Sequence, residues 1–369
     1  MTIDLAIVGA YGDVGRQAVR HWLRLRNGTS ARLRLGGRDP DALRGLAAPL
    51  RDAGHAIETA VVDVFDRRSL DAFVADARVV LNCAGPSHRI RDRVAVATLR
   101  AGTDYVDAAG DDALAQALPA PQGDGRRVLL SAGMRPGLSG LLPRWLALDM
   151  PRPRRLTSHI GVLDRFTVAA AGDFLAAGSE GDSTTLAAWR DGLRQRTLRR
   201  LDDQQVPGFP GPVTLLPYLD REAERVARAT GIREGDWYSA IEDGKVLSVF
   251  ERAHTIPCNE AIAMLRLASA VDLVGRQPRV SITMQLDSDD DSRGVRVQAG
   301  GNGSLSGAFA AVASDAVARG ATPVGIHHAA DVLDPSATIA CLRALHVFDA
   351  FVVVEGHPSR LWHAEEGAL

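Results

Sequence analysis

Three glycines, at positions 9, 12 and 15, sit in the stretch DLAIVGAYGDVGRQAVRHW between an apolar run and a segment of helical periodicity. A strand that turns sharply into a helix needs backbone freedom at such glycines, and the lack of a Cβ lets phosphates approach the helix N-terminus. The spacing alone suits a tight turn or a pyrophosphate clamp. The rest of the chain decides between them, by whether it builds the parallel sheet that such a clamp serves.

Over the first 130 residues it does. Short β-branched runs at 3–8, 33–35, 57–62, 79–82, 105–106 and 128–131 alternate with amphipathic stretches such as 13–26 and 39–53, long enough to cross between parallel strands. This predicts an α/β fold, a Rossmann doubly wound parallel sheet, in residues 1–135. Beyond Ala132 the prolines at 136, 143, 151 and 153 break the pattern. Residues 136–320 are expected to form a second α+β domain containing a mixed, partly antiparallel sheet, with strands at 155–162, 246–251, 280–286 and 295–299 and a helix over 304–319 ended by Gly320. The segment 321–369 is expected to return and pack on the Rossmann domain. With 369 residues, 46% of them hydrophobic, the chain is long enough for two cores. The proline- and glycine-rich run at 205–217 suits a lid over a cleft or a surface connection.

In that setting the glycine loop, from Gly9 through Tyr11, Gly12, Asp13 and Val14 to Gly15, becomes a phosphate-binding loop. The second strand ends in Gly36-Gly37-Arg38-Asp39. A site preferring NAD places an acidic residue there for the ribose 2'-hydroxyl, whereas the planar guanidinium of Arg38 suits a 2'-phosphate, so NADP is favoured. Asp39 fits a ribose contact, but Asp39-Pro40 also has the form of a helix start. Asp63, followed by Val64, reaches either the adenine edge or a strand-end turn. Asn82, Cys83, Ala84, Gly85 and Pro86 close the fourth strand at the carboxyl edge, where the nicotinamide half would lie, although Gly-Pro also serves a plain sharp turn.

These motifs continue in order through Ala101-Gly102-Thr103, Tyr105-Val106-Asp107, Gly110, Gly133 and Pro136-Gly137, and over roughly the first 145 residues the chain resembles the saccharopine dehydrogenase (saccharopine reductase) family. A looser match covers GATPVGIHHAADVLDP at 320–335. The resemblance implies an NADP-binding Rossmann domain, a second domain supplying most of the substrate pocket and the contacts of a homodimer, and hydride transfer at a C–N bond, to an imine joining an amine and a keto acid or the reverse. Distant relatives of the same family that look like trans-acting enoyl reductases supply the alternative of C=C reduction, and a cofactor-binding sensor or scaffold without chemistry is a third. Where many relatives carry an aromatic residue after Gly-Pro, this chain has Ser87-His88-Arg89; Asp111 stands where a glutamate is common. The substrate is therefore expected to differ from saccharopine and to belong to specialised metabolism.

A protonated imine already accepts hydride, so positioning and charge placement carry much of the rate. His88 is the histidine best placed for proton exchange near neutrality, against the plain alternative of a loop bystander. Arg89 and Arg135 are candidate clamps for a substrate carboxylate or else surface arginines. Asp107 is a candidate to hold a substrate amine, with Asp111 better suited to a turn or cap. Tyr238 is a candidate substrate contact or proton donor, with core packing as its rival. Asp243-Gly244 predicts a hairpin turn with Lys245 at its tip.

Other chemistries find less support. The three cysteines, at 83, 258 and 341, are too few and too scattered for a disulfide framework or a CxxC metal site, and they fit a reducing, cytoplasmic compartment. Adjacent His327 and His328 lack acidic or cysteine partners at metal spacing, so no metal is expected. The run Asp287–Asp291 predicts a solvated hairpin tip. A net charge of −2 offers no electrostatic attraction to nucleic acid or to an anionic membrane, and no run of about 18 apolar residues marks a membrane span, leaving a small molecule as the expected partner.

Overall fold

The computed structural model describes residues 2–26, 31–119, 125–177 and 183–356. Contacts divide the chain into two units, one of residues 1–141 with 303–347, the other of 142–302 with 348 onward.

The first unit opens with β1 (Ile3–Val8), α1 (Asp13–Leu25), β2 (Arg32–Gly37), α2 (Pro40–Asp52), β3 (Ala56–Val61), α3 (Arg67–Val74) and β4 (Ala77–Asn82). It continues through α4 (Ser87–Ile90), α5 (Arg93–Arg100), β5 (Asp104–Asp107), α6 (Asp112–Ala117) and β6 (Arg127–Leu130), and the boundary between the units falls within α7 (Leu138–Ala147). The six expected strands are all present and all parallel, ordered 3-2-1-4-5-6, so the order reverses between β1 and β4. Their alternate residues fill a core in which Ile3, Leu5, Ile7, Leu33, Leu35 and Leu81 are fully buried.

The second unit contains β7 (Arg155–Leu163), α8 (Val168–Ala177), β8 (Ser183–Thr185), β9 (Ala188–Arg190), β10 (Leu193–Arg194), β11 (Leu201–Gln204), β12 (Val213–Asp220) and α9 (Arg221–Thr230). After these come β13 (Glu234–Glu242), α10 (Lys245–Phe250), α11 (Cys258–Asp272), β14 (Arg279–Asp287) and β15 (Ser292–Ala299). Its sheet is mixed: β7 and β13 pair in parallel, and the other described pairings are antiparallel. The tip at 288–291 is a hairpin turn, as expected, with the Ser288 amide donating to the Asp291 carbonyl.

The chain then runs through α12 (Asn302–Ala318), β16 (Gly325–His328), α13 (Ala329–Val332), α14 (Pro335–Ala344) and β17 (Ala350–Glu355). Boundaries expected at 135 and 320 shift accordingly. The helix α12 belongs to the first unit because its glycines let it approach α1: a Cβ on Gly307 would lie 2.5 Å from the Val14 carbonyl oxygen, and one on Gly303 3.0 Å from the Asp13 Cβ. Arg26 and Asp315 pair at 2.9 Å, at the far ends of the two helices. In the segment beyond 321, β16 adds a seventh parallel strand beside β6, and β17 pairs with β15 in the other sheet. Residues 357–369 lie outside the described residues.

Two local expectations are corrected. Residues 246–250 are helix, not strand, with Glu251 as the C-cap, and Lys245 opens that helix instead of capping a hairpin, because the Asp272 carboxylate accepts from the amides of Lys245 and Val246 at 2.8 and 2.9 Å. Val246, Val249 and Phe250 then recur at helical spacing and join a cluster with Ala171, Leu265 and Ala268. The proline-rich run is loop only to 212, since β12 starts at Val213 and carries Pro217 within it. The carbonyl of Pro207 in that loop accepts from the Thr283 hydroxyl at 2.6 Å.

Candidate functional site

The crevice where the strand order reverses is built by the ends of β1 and β4. Gly9 has φ +76°, and a Cβ there would sit 2.7 Å from the Ala84 amide nitrogen. A Cβ on Gly15 would lie 2.2 Å from the Gly9 carbonyl oxygen, so the loop and the first turn of α1 touch backbone to backbone. Gly12 occupies the N-cap and brings no capping side chain, whereas α2 and α3 are capped by Asp39 and Asp66. The N–H groups opening α1 are thus left for an anion. Of the loop's side chains, Asp13 pairs loosely with Arg16 at 3.8 Å, and the Tyr11 ring lies over Gly37, its hydroxyl accepting from the Asp39 amide at 3.3 Å.

The end of β2 resolves the alternatives left by the sequence. The Asp39 carboxylate accepts from the amides of Asp41 and Ala42 at 2.9 and 3.1 Å, so it caps α2. Arg38 is exposed, with no ion-pair or hydrogen-bond partner among the described residues. At the end of β3, Asp63 forms a turn, accepting from the Phe65 amide at 3.0 Å, while Val64 is buried. Exposed Phe65 carries the Arg93 guanidinium over its ring, 5.1 Å from the centroid.

At the end of β4, Asn82 is buried; its Oδ1 accepts from the Ala84 amide at 3.1 Å and its Nδ2 donates to Asp107 at 3.0 Å. Asp107 also accepts from the amides of Ala109 and Gly110, at 2.9 and 2.8 Å, and from the Tyr105 hydroxyl. Four donors occupy its carboxylate, so the structure gives Asp107 the task of fixing the loop after β5 instead of holding a substrate amine. Burial, with the Asp107 carboxylate nearby, raises the Cys83 thiol and Tyr105 phenol pKa values, which keeps both groups protonated. Past the cis Gly85–Pro86 bond, His88 is half-buried on the single turn of α4 and Arg89 is exposed. Arg135 is half-buried in the loop after β6.

Tyr238 lies in the second unit. The residue is 8% exposed, packs with Val206, Val213 and Leu215, and stacks its ring on His159 at 5.3 Å, so it serves the core there, against the proton-donor expectation. The sequence reading also passed over Ser131, Asp112 and the non-metal role of His328. The Ser131 hydroxyl meets both the Gly110 carbonyl and His328 Nδ1 at 2.8 Å, and His328 Nε2 lies 3.5 Å from Asp112. The signal was present, since His328 ends a short strand at the same edge, but only the pairing of β16 with β6 shows it.

A glycine loop at the reversal point of a parallel sheet, with an uncapped helix behind it and an uncommitted arginine after β2, defines a dinucleotide-binding protein of the Rossmann class. Residues 5–122 match the saccharopine dehydrogenase NADP binding domain, which makes this part of the chain an NADP-binding domain. The chain is 32% identical over 108 residues to a trans-acting enoyl reductase of Mycobacterium bovis (strain BCG / Pasteur 1173P2) and 34% to one of Mycobacterium leprae (strain TN). These matches take in 29% of this chain and only 25% of the relatives' length. Apo saccharopine dehydrogenase (L-Glu forming) from Saccharomyces cerevisiae shares the fold, with a TM-score of 0.65 over 96% of this chain and all of that one, at 15% identity. Among the described residues no helix is long and apolar enough to cross a membrane.

Proposed function

We propose that the protein is an NADPH-dependent oxidoreductase that reduces a C=N bond in a small, amino-acid-like substrate. The cofactor, when bound, supplies the hydride. Gly9, Gly12 and Gly15 would admit its pyrophosphate, Arg38 its 2'-phosphate, and the loop 82–86 its nicotinamide half.

The observation that carries the substrate reading is the charge of the carboxyl edge. The Asp107 carboxylate is consumed internally, whereas the side chains presented beyond β4 and β6 include the basic groups His88, Arg89 and Arg135. Such an edge suits a substrate carboxylate. An iminium asks for orientation and charge stabilisation more than for a committed acid.

The similarity to the mycobacterial enoyl reductases favours C=C reduction as a second reading. That chemistry requires protonation at carbon, which His88 is best placed to serve. His88→Ala should therefore abolish an enoyl reductase but only slow an imine reductase. Stopped-flow oxidation of NADPH against panels of amine–keto acid pairs and enoyl thioesters separates the two, and no turnover with either panel would refute both in favour of a cofactor-binding protein without chemistry. We also propose a homodimer, on the strength of the family resemblance. Sedimentation equilibrium at micromolar concentration returning the monomer mass would exclude it.

A further inference from the structure

A single chain of hydrogen bonds crosses the carboxyl ends of four neighbouring strands, β4, β5, β6 and β16. It starts at the Ala84 amide, beside the glycine loop, and passes through Asn82 to Asp107. From Asp107 Oδ1 it continues to the Gly110 amide at 2.8 Å, and from the Gly110 carbonyl to the Ser131 hydroxyl at 2.8 Å. It ends on His328 Nδ1 at 2.8 Å, with Asp112 3.5 Å from the opposite ring nitrogen.

Donor counting fixes its direction. A carbonyl only accepts, so the one Ser131 proton goes to Gly110, and Ser131 Oγ must then accept from His328 Nδ1–H. Likewise Asn82 accepts from Ala84 through oxygen and donates to Asp107 through nitrogen. Each link has one consistent orientation, and Ser131 is held for it in a left-handed conformation, φ +56°. Such conformations carry a steric cost in non-glycine residues, which the two hydrogen bonds of Ser131 offset.

We propose that His328 is a positioning residue for cofactor binding: through Ser131, Gly110, Asp107 and Asn82 it fixes the Ala84 amide against Gly9. The inference rests on NADP binding at this edge. A continuous path is not itself proof of coupling, so the test is a double-mutant cycle.

NADPH dissociation constants are measured by fluorescence titration, with melting temperatures in parallel. His328→Ala should raise the constant about fivefold, and His328→Asn, whose side-chain amide can replace the Nδ1–H donor, should restore it to within about twofold of wild type. In an Asn82→Ser background, where the chain is already cut, His328→Ala should add less than twofold. In an Arg38→Ala background, remote from the chain, it should keep its full fivefold effect. An unchanged constant in His328→Ala, or the same fivefold effect with and without Asn82, overturns the proposal. If His328→Ala does not fold, Ser131→Ala reads the same link by deleting one oxygen, with the same outcomes. Failure of the wild type to bind NADPH would refute the cofactor site itself, a result distinct from binding that ignores His328.

Discussion

Arg38→Ala should separate the two nicotinamide cofactors without disturbing the protein. Arg38 is exposed and makes no hydrogen bond or ion pair among the described residues, so its removal breaks nothing in the unliganded molecule, and a surface change of this kind alters stability by no more than about 0.5 kcal/mol. The cap of α2 rests on Asp39 and is untouched. What is lost is the interaction with a 2'-phosphate, where hydrogen bonds to a charged group are worth about 1.5–3 kcal/mol. Solvent screening of an exposed guanidinium places the expected loss at the lower end, about tenfold in affinity. Titrations of NADPH and NADH by fluorescence, at low and at high salt, give the readout. NADPH affinity should fall about tenfold, NADH affinity should hold within twofold, and the difference should shrink as salt rises. A ratio of the two affinities equal to that of the wild type would refute the reasoning.

Gly15→Ala places a methyl 2.2 Å from the Gly9 carbonyl oxygen and 2.9 Å from Ala10 Cα, which neither backbone can yield without opening the loop. We expect a loss of about 1–3 kcal/mol in urea unfolding together with loss of NADPH binding; wild-type values for both would dismiss the close-approach argument. His159 is buried against Tyr238, and desolvation lowers its pKa from 6.5 to about 4. The unfolded chain therefore takes up a proton between those values that the folded protein refuses, so the contribution is complete above pH 6.5 and is lost as the pH falls toward 4. His159→Phe should flatten this part of the stability profile, by an amount on the order of 2–3 kcal/mol between pH 7.5 and pH 4.5, and urea midpoints that fall as steeply as in the wild type would contradict it.

The legible parts of the fold were those decided within a dozen residues. The strands of the first unit announced themselves by β-branched runs, and the helix starts at Asp13 and Asp39 by glycine and by aspartate-proline. The misread parts depend on partners distant in sequence. VLSVF has the composition of a strand, and it is a helix because Asp272 caps it and Leu265 packs on it. The four residues of β16 are a strand only because β6 is there to pair with them. The same division holds at the site. Arg38 and the glycine loop could be placed from local order alone, whereas the commitment of Asp107 to four donors, the stacking of Tyr238 on His159, and the link from Ser131 to His328 required three-dimensional neighbours.

The close passage of α12 along α1 has a practical consequence for anyone who would borrow the nucleotide-binding half. The two helices run side by side in the same direction, from Asp13 beside Gly303 to Arg26 beside Asp315, and β16 follows directly in the same unit. A fragment cut after Leu141 would discard the brace behind the phosphate loop along with the outermost strand, leaving the buried face of α1 and one edge of β6 bare. A graft that keeps the unit intact must therefore be made of two stretches of chain, 1–141 and 303–347, with residues 142–302 cut out from between them and the chain from 348 onward removed.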